Sequence, residues 1–356
     1  MTGSARAVVF RGPGEPLELV EVTLPKLGTG EALVRIDFRT LCGSDLHTYR
    51  GQRSTPVPTV LGHEAIGTVI AASKNAGIHE GARVTWSVAA SCGRCFFCSH
   101  ELPQKCERLF KYGHEKMRDE HPLSGGLATH CHLARGTTVV EIPSDLPDEV
   151  ACPANCATAT VAAALRAAGD ISGAVVLILG AGMLGLTASA MCCTRGAGAV
   201  IVSEPDAKRR ALATEFGATV AVDPGDIEEL VAARTDGRGA DLALEVSGAA
   251  SAVRDSFERI RIGGTAVLVG SVFPAPPMPL EAEWIVRRNL TLRGIHNYAP
   301  VDLREALSFL AAHHTKFPFA ELVRDTFPLN RAEDAFRYAL DKNPSRVGIT
   351  DVSPSR

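Results

Sequence analysis

The sequence predicts an α/β protein in which a β-rich first part is followed by a doubly wound parallel sheet. Two sequence patterns in the 356-residue chain support this prediction. Up to about residue 157, short β-branched runs alternate with Gly, Pro and Asn clusters, which is typical of β structure with tight turns. From there on, alanine-rich helical stretches alternate with apolar runs, as in a parallel sheet covered by helices. The length also exceeds that of one ordinary core and favours two domains.

The predicted strands are short runs rich in Val, Ile and Ala. In the first part they are Ala5–Phe10, Ala32–Phe38, Ala65–Ala71 and Arg83–Trp86. In the second part they are Ala174–Leu179, Val200–Ser203, Thr219–Val222, Asp241–Val246, Thr265–Val269 and Leu290–Arg293. Beyond Gly294 the pattern predicts two amphipathic helices and a last strand, near Asp302–Ala312, Arg331–Asp341 and Arg346–Thr350.

Composition describes a globular chain and excludes several classes of protein. Hydrophobic residues make up 46% of the chain and charged residues 22%. The net charge of −3 speaks against a nucleic-acid or membrane surface, since both partners favour a basic excess. No apolar run reaches a membrane span, and the segment from Met1 to Arg11 lacks the apolar core of a signal peptide. We therefore expect a cytoplasmic protein, in which metal binding is the first candidate role for the ten cysteines and disulfides are not expected.

A glycine-rich turn joins the strand Ala174–Leu179 to a helical stretch and has the pattern G-x-G-x-x-G. Glycines at such a junction let backbone N–H groups approach a pyrophosphate at the N-terminus of a helix. The sequence therefore predicts a dinucleotide site here, with further contacts at the ends of two later strands. The expected cofactor contacts are Gly180, Gly182, Met183, Leu184, Gly185, Val246 and Val269.

The next strand ends in Glu204, nineteen residues after Gly185. A carboxylate at this place accepts hydrogen bonds from ribose hydroxyls and repels a 2′-phosphate, so the sequence favours NAD over NADP. The basic run Lys208, Arg209 and Arg210 follows directly, and it leaves an NADP-preferring protein as the alternative. Arg209 is a candidate cofactor contact in either case.

Four cysteines lie close together in the pattern C-x2-C-x2-C-x7-C: Cys92, Cys95, Cys98 and Cys106. Four thiolates suit a tetrahedral Zn²⁺ with no open position, which is the mark of a structural site. A zinc ribbon that binds nucleic acid would instead need two separated C-x2-C pairs with basic neighbours. The charge between Glu101 and Glu120 is balanced, which argues against that alternative.

Further candidate metal ligands are dispersed along the chain: Cys42, His63, Glu64 and Cys156. Soft thiolates and an imidazole suit zinc, and three protein ligands with an exchangeable fourth form a catalytic site. Each residue alone is explained equally well by packing in a core, and Cys152 is an alternative to Cys156. The sequence supplies the ligand types without showing that they converge in space.

The order and intervals of these motifs resemble the zinc-containing medium-chain alcohol and polyol dehydrogenases over essentially the whole chain. The resemblance rests on Cys42-Gly-Ser-Asp-x-His47, Gly62-His63-Glu64, the four-cysteine segment and Gly180-Ala-Gly-x-x-Gly185. It implies a GroES-like catalytic domain, residues 1–157 with 298–356, and an NAD-binding Rossmann domain, residues 158–297, with the active site in the cleft between them. It also implies a homodimer or homotetramer.

The resemblance assigns roles to individual residues as well. Cys42, His63 and Cys156 bind catalytic zinc, with Glu64 as a neighbour or alternate ligand. Asp45 supports the zinc site, Thr160 packs by the nicotinamide, and Arg346 reaches the pyrophosphate. The implied reaction is hydride transfer between NAD and an alcohol or carbonyl, with Ser44 and His47 passing the proton to water. Gly43 stands where many relatives have a basic residue, so one pyrophosphate contact is missing.

A catalytically inactive zinc-binding homologue is the alternative from another class. It should have lost one of Cys42, Ser44, His63 or Cys156, and this chain keeps all four.

The substrate is predicted to be a small, highly polar alcohol. The segments Tyr112–Glu115, Pro153–Thr160 and Gly294–Tyr298 resemble a bacterial subgroup associated with phosphonate catabolism. An anionic substrate would need cationic contacts, for which the candidates are Lys111, His114, Lys116 and Arg118. Nearby carboxylates nearly cancel their charge, so a polyol, nucleoside or cyclitol alcohol is equally well supported.

We interpret Cys131, Cys192 and Cys193 as packing thiols, and His114, His121, His130 and His132 as solvated histidines without a common ligand spacing.

Overall fold

The computed structural model describes residues 3–273 and 280–351. Within these ranges the strands are β1 (Ser4–Phe10), β2 (Glu18–Thr23), β3 (Ala32–Leu41), β4 (Thr59–Val60), β5 (Glu64–Ala72), β6 (Arg83–Ala90), β7 (Phe110–Lys111), β8 (His130–Leu133), β9 (Thr137–Glu141), β10 (Val175–Leu179), β11 (Ala199–Ser203), β12 (Val220–Val222), β13 (Ala240–Glu245), β14 (Ile260–Leu268), β15 (Thr291–Gly294), β16 (Thr326–Pro328) and β17 (Val347–Thr350). The α-helices are α1 (Gly43–Tyr49), α2 (Phe96–Ser99), α3 (Asp148–Ala151), α4 (Ala157–Ala168), α5 (Met183–Thr194), α6 (Ala207–Glu215), α7 (Ile227–Thr235), α8 (Ala250–Glu258), α9 (Ala282–Arg287), α10 (Pro300–His313) and α11 (Ala332–Lys342).

The chain folds into two compact units. The first unit consists of Met1–Cys156, Ala299–His314 and Phe319–Arg356, and the second of Ala157–Tyr298 and Thr315–Pro318. The chain therefore leaves the first unit after Cys156 and returns to it after Tyr298. Among the described residues, no helix is both long and apolar enough to cross a membrane.

The first unit is built on two β-sheets. The larger has the strand order β16-β17-β3-β5-β6-β7, with β8 added to β3 and β9 to β6, and the smaller has the order β2-β1-β4. The long strands β3 and β5 pair antiparallel, and Thr40 lies opposite Glu64 in their register. Because strand partners lie about 5 Å apart, this register brings the residue that follows β3 near the residue that precedes β5. Those residues are Cys42 and His63.

The second unit contains one parallel sheet with the strand order β12-β11-β10-β13-β14-β15. Its central strands β10 and β11 are apolar and almost completely buried, as expected for strands that are covered on both faces. The strand order reverses beside β10, and crevices for dinucleotides form at the carboxyl ends of the strands at such points. The predicted α/β class with a doubly wound parallel sheet is confirmed.

Each predicted strand overlaps a strand of the structure, and several short strands were not predicted. β2 is mostly exposed, and Glu21 separates its apolar residues, so it is not one of the continuous apolar runs that predict strands. β8 carries His130 and His132, which do not indicate a strand by composition. These strands form through pairing with β1 and β3, a long-range contact that local patterns do not contain.

Candidate active site

Four predicted residues come together in the first unit. The sulfur of Cys156 lies 3.9 Å from the sulfur of Cys42 and 3.5 Å from Nε2 of His63. One ligand atom from each of these residues and from Glu64 lies within 4.8 Å of all the others. Cys152 is outside this group and is buried beside the hydroxyl of Thr40, 3.5 Å away. The structure therefore brings Cys156, and not Cys152, to the cluster.

The buried side chain of Asn155 connects the two distant segments that carry Cys156 and His63. Its amide nitrogen donates to the carbonyl oxygens of His63, at 2.9 Å, and of Trp86, at 2.8 Å. The residue before Cys156 is thereby tied to the backbone of His63. The sequence does not predict this role of Asn155, because its partners are backbone carbonyls 69 and 92 positions away.

Asp45 orients the imidazole of His63. Its Oδ1 lies 3.2 Å from Nδ1 of His63, and its Oδ2 accepts from the backbone N–H of Cys42 at 2.9 Å. Burial by itself would lower the pKa of His63, but Asp45 and Cys42 outweigh it and raise this pKa to about 10. With Nδ1 directed at a carboxylate, Nε2 is the nitrogen left to face the two sulfurs. A carboxylate behind a histidine is the usual support of a metal-binding imidazole.

Glu64 is paired with Arg346 inside the protein. The Nε and Nη2 atoms of Arg346 donate to the two carboxylate oxygens, both at 2.8 Å, and the hydroxyl of Thr40 donates to Oε2 at 2.6 Å. Nη2 of Arg346 also lies 3.6 Å from the sulfur of Cys42. A bidentate ion pair thus holds Glu64 beside the cluster, and Arg346 also lies beside the cluster, next to Cys42. Its expected contact with a pyrophosphate stays a prediction.

The donor set of this cluster fits zinc. Two sulfurs and one imidazole nitrogen lie at mutual distances close to the ligand separations of a tetrahedral zinc site. A hydrogen bond with Cys156, and then the positive charge of Arg346, lower the pKa of Cys42 well below its ordinary value. A thiolate is the form that binds a metal. Three protein ligands leave one position open, as chemistry on a substrate requires.

The four cysteines of the second motif also come together. The sulfur of Cys95 lies 3.5 Å from that of Cys98 and 3.8 Å from that of Cys106, and all four sulfurs lie within 4.8 Å of one another. The backbone N–H groups of Cys92 and Arg108 donate to the sulfur of Cys106. The set fits a closed tetrahedral site with four sulfur ligands.

Ser44 and His47 lie on helix α1, three residues apart. The hydroxyl of Ser44 is 3.5 Å from Nε2 of His63, at the edge of the cluster. Nδ1 of His47 is 2.6 Å from Oε1 of Gln52. Because an amide oxygen can only accept, Nδ1 carries the proton in this contact, and Nε2 is the basic nitrogen of a neutral His47.

Three cationic or N–H-bearing side chains adjoin the cluster: Arg53, Lys111 and His114. The ring of His114 is buried, its centroid is 5.7 Å from that of His63, and its Nδ1 has no hydrogen-bond partner among the described residues. Lys111 is largely buried, and burial followed by repulsion from Arg53 lowers its pKa to about 8. Arg53 lies within electrostatic range of Asp45, Cys42 and Cys156.

Of the four predicted candidates for an anionic substrate, only Lys111 and His114 lie here, since Lys116 and Arg118 are exposed. The interpretation of His114 as a solvated histidine is wrong. Arg53 was not recognised in the sequence, where it appears as an ordinary basic residue in a turn.

In the second unit, the glycine motif has two kinds of glycine. A Cβ at Gly185 would lie 1.8 Å from the carbonyl oxygen of Gly180, so the close approach of helix α5 to the turn requires glycine there. Gly182 is the N-cap of α5, and a Cβ at this position would meet no atom within 4 Å. The space beside Gly182 lies at the N-terminus of a helix. It fits the pyrophosphate of a dinucleotide.

Glu204 is buried at the end of β11 and binds the glycine turn. Its Oε2 accepts from the backbone N–H of Ala181 at 2.7 Å, and its Oε1 from that of Asp206 at 3.0 Å. Each oxygen keeps a second lone pair for a ribose hydroxyl. Arg209 is half-buried in the first turn of α6, where Asp206 accepts from its backbone N–H at 2.9 Å.

The remaining predicted cofactor contacts lie on helices or near strand ends of the second unit. Val246 directly follows β13, and Val269 directly follows β14 and is buried. Met183 and Leu184 form the first turn of α5, and Thr160 is half-buried on α4. Their contact with a cofactor stays a prediction.

Comparisons with known proteins agree with this geometry. Residues 28–144 match the alcohol dehydrogenase GroES-like domain, and residues 184–312 match the zinc-binding dehydrogenase domain. A probable alcohol dehydrogenase from Mycobacterium tuberculosis is 33% identical over 92% of each chain. An L-threonine 3-dehydrogenase from Pyrococcus horikoshii is also 33% identical, over 81% of this chain and 82% of its own.

Solved structures show the same architecture. The alcohol dehydrogenase of Thermotoga maritima superimposes with a TM-score of 0.92 at 28% identity, covering 98% of this chain and 99% of its own. A zinc-binding dehydrogenase of Sinorhizobium meliloti, solved with NADP, gives a TM-score of 0.86 at 28% identity, with the same coverage of both chains. The chain belongs to the zinc-containing medium-chain alcohol dehydrogenase family. It combines a GroES-like domain with a Rossmann-like parallel sheet, as the sequence predicted, and is a zinc oxidoreductase.

We expect two zinc ions per chain, measured by elemental analysis of protein purified without chelator. Cys156→Ala should lose about one ion with little effect on folding, whereas Cys98→Ser should lose the other and destabilise the fold, because structural zinc contributes folding free energy. Cys193→Ser is the control and should keep both ions. A content of one ion that survives Cys156→Ala and disappears in Cys98→Ser would show that the first cluster binds no zinc.

Proposed function

We propose that the protein is a zinc-dependent, NAD-linked dehydrogenase that interconverts a small polar alcohol and its carbonyl. The observation that carries the proposal is the convergence of Cys42, His63 and Cys156 beside the hydroxyl of Ser44. These ligands hold the catalytic zinc, and Cys92, Cys95, Cys98 and Cys106 hold a structural one. We further propose the first unit as the catalytic domain and the second as the NAD-binding domain, with bounds near residues 157 and 298.

Zinc bound by the two thiolates and the imidazole supplies a Lewis acid, which lowers the pKa of a substrate hydroxyl. The residues around it fix this donor set. Asp45 keeps Nε2 of His63 directed at the sulfurs, and Arg346 occupies Glu64, so that Glu64 is not the third ligand while the ion pair is intact. The glycine turn, with Gly182 at the N-terminus of α5, would hold a dinucleotide, which would supply the hydride acceptor or donor.

Ser44 and His47 move the proton. The hydroxyl of Ser44 is placed to accept a proton from the substrate hydroxyl and to release its own towards solvent. His47 is half-buried, with Nδ1 2.6 Å from Oε1 of Gln52, and its imidazole is the base that receives this proton. An imidazole suits this step because its ordinary pKa is close to neutrality.

The substrate side of the site favours a polar ligand. Arg53 and Lys111 have no side-chain hydrogen bond or ion pair within the described chain. Binding of the thiolates to zinc would remove part of the negative charge that offsets these two cations, and Asp45 would still act on Arg53. A substrate with several hydroxyls or with an anionic group would satisfy them, whereas a hydrophobic alcohol would not.

Glu204→Gln should weaken the preference for NAD. The amide keeps one oxygen acceptor for the glycine turn but removes the charge that repels a 2′-phosphate. We expect the ratio of kcat/KM for NAD to that for NADP to fall about ten- to a hundred-fold, or roughly 1.5–3 kcal/mol. Asp223→Asn, directly after the next strand β12, is the matched control and should leave the ratio unchanged. Equal use of both cofactors by the unaltered protein would contradict the assignment and favour the NADP alternative, which the basic residues Lys208 and Arg209 also support.

Ser44→Ala and His47→Gln should keep zinc in place and lower turnover. General acid–base groups contribute about 10²–10⁴-fold, and we expect the larger loss for Ser44, because water can replace His47. Turnover should be measured under conditions in which deuterated substrate shows that hydride transfer limits the rate, with zinc content as the control. If both variants keep the full rate there, the proton path runs elsewhere.

The substrate class should follow from kcat/KM values for a hydroxyalkylphosphonate, a polyol, a nucleoside and a simple aliphatic alcohol. We expect the aliphatic alcohol to be the poorest. Lys111→Gln should raise KM about ten-fold or more for an anionic substrate, since a charge-assisted hydrogen bond contributes roughly 1.5–3 kcal/mol. The exposed Lys116→Gln is the control. Because burial lowers the pKa of Lys111 to about 8, binding of an anion should weaken as the pH rises through that value. A clear preference for the aliphatic alcohol would contradict the proposal.

A further inference from the structure

Three residues of metal-binding types meet in the first unit, apart from both cysteine sites: Glu31, His121 and His132. Nε2 of His132 lies 2.9 Å from Oε2 of Glu31, and its Nδ1 lies 3.2 Å from Nδ1 of His121. One ligand atom from each of the three residues lies within 4.8 Å of the other two. His132 is only 1% exposed, so the interpretation of this residue as a solvated histidine is wrong.

Three separate parts of the chain build this cluster. Glu31 directly precedes β3, His132 lies on β8, and the register of these two strands places Leu33 opposite His132. His121 lies in the loop before β8, where the backbone N–H of His132 donates to the carbonyl of Leu123. The carboxylate of Glu31 is fixed by the backbone N–H of Gly28 at 2.7 Å. The side chains are therefore held in place before any ligand arrives.

The hydrogen bonding of His132 determines which nitrogen is available. A carboxylate only accepts, so Nε2 of His132 donates its proton to Glu31. Nδ1 of a neutral His132 then carries a lone pair directed towards Nδ1 of His121.

The separation of the two Nδ1 atoms suits a metal. With metal–nitrogen bonds of about 2.0–2.1 Å, adjacent ligand atoms lie about 3.0–3.4 Å apart in octahedral and tetrahedral sites. The observed 3.2 Å lies in this range. A carboxylate that holds the far nitrogen of a metal-binding histidine is also a recurrent support.

We propose that His121 and His132 bind a further divalent transition-metal ion through their Nδ1 atoms, with Glu31 orienting His132. Imidazole nitrogens favour Zn²⁺, Ni²⁺ or Cu²⁺ over Mg²⁺ and Ca²⁺. Two protein ligands leave the remaining positions to water, so binding is weaker than at the cysteine sites. An ion here joins the loop that carries His121 to β8, independently of the catalytic reaction.

The test is titration calorimetry with Ni²⁺ on untagged holoenzyme whose zinc content has been measured. We expect one Ni²⁺ per chain in addition to the bound zinc, and a midpoint of thermal unfolding that rises with Ni²⁺, since a ligand that binds only the folded state stabilises it. His121→Gln should abolish both effects, and Glu31→Gln should weaken binding about ten-fold or more. His130→Gln, on the same strand but bonded to Thr129, should bind Ni²⁺ as the unaltered protein does.

Two outcomes would overturn the proposal. One is the absence of additional Ni²⁺ binding in the unaltered protein, with zinc content unchanged, which would leave the cluster as a hydrogen-bonded relay only. The other is undiminished Ni²⁺ binding by His121→Gln. His121 is half-buried in a loop, so its variant should fold, and the unfolding midpoint without Ni²⁺ checks this directly.

Discussion

The proposed catalytic zinc site depends on one buried ion pair, Glu64 with Arg346. Glu64 begins β5, and Arg346 immediately precedes β17 at the other end of the chain. Both charges are almost completely removed from water, which is costly unless every polar atom is paired. Two hydrogen bonds between them and a third from Thr40 meet that requirement. Loss of either partner would leave a buried charge beside Cys42, at a cost of about 3–5 kcal/mol.

This pairing determines what the neighbouring groups can do. Arg346 occupies the carboxylate of Glu64, and Asp45 occupies Nδ1 of His63, so neither carboxylate competes for the open face of the cluster. Two sulfurs and one imidazole nitrogen remain as donors. Their charge balances that of a zinc ion, and Arg53 and Lys111 are then the unbalanced charges nearby. Glu64 is already paired with Arg346, and Asp45 with His63. Arg53 and Lys111 are not paired in this way, and we therefore expect a polar substrate.

Local patterns in the sequence predicted the parts of the molecule that are themselves local. The glycine turn and the four-cysteine lobe are each contained in a few residues, and the structure has both as expected. The dispersed cluster was different, because Cys42 and His63 meet only through the register of β3 with β5, and Cys156 through the amide of Asn155. The resemblance to a family predicted that these three residues meet, whereas composition and spacing alone did not. The strand β8 depends on the same kind of long-range contact, since it pairs with β3 about 100 residues earlier.

Residues that packing does not explain are the best guide to ligands in this fold. Gly185 is required by the backbone of Gly180, so its identity would be the same without any cofactor, whereas Gly182 has open space where a side chain would be. Nδ1 of His114 is buried and has no hydrogen-bond partner in the described chain, although nearly all buried polar atoms in proteins have one. The first feature leaves room for a ligand, and the second leaves a buried polar atom to be satisfied. They lie at the glycine turn and beside the thiolate cluster, which are the places where we propose that the dinucleotide and the substrate bind.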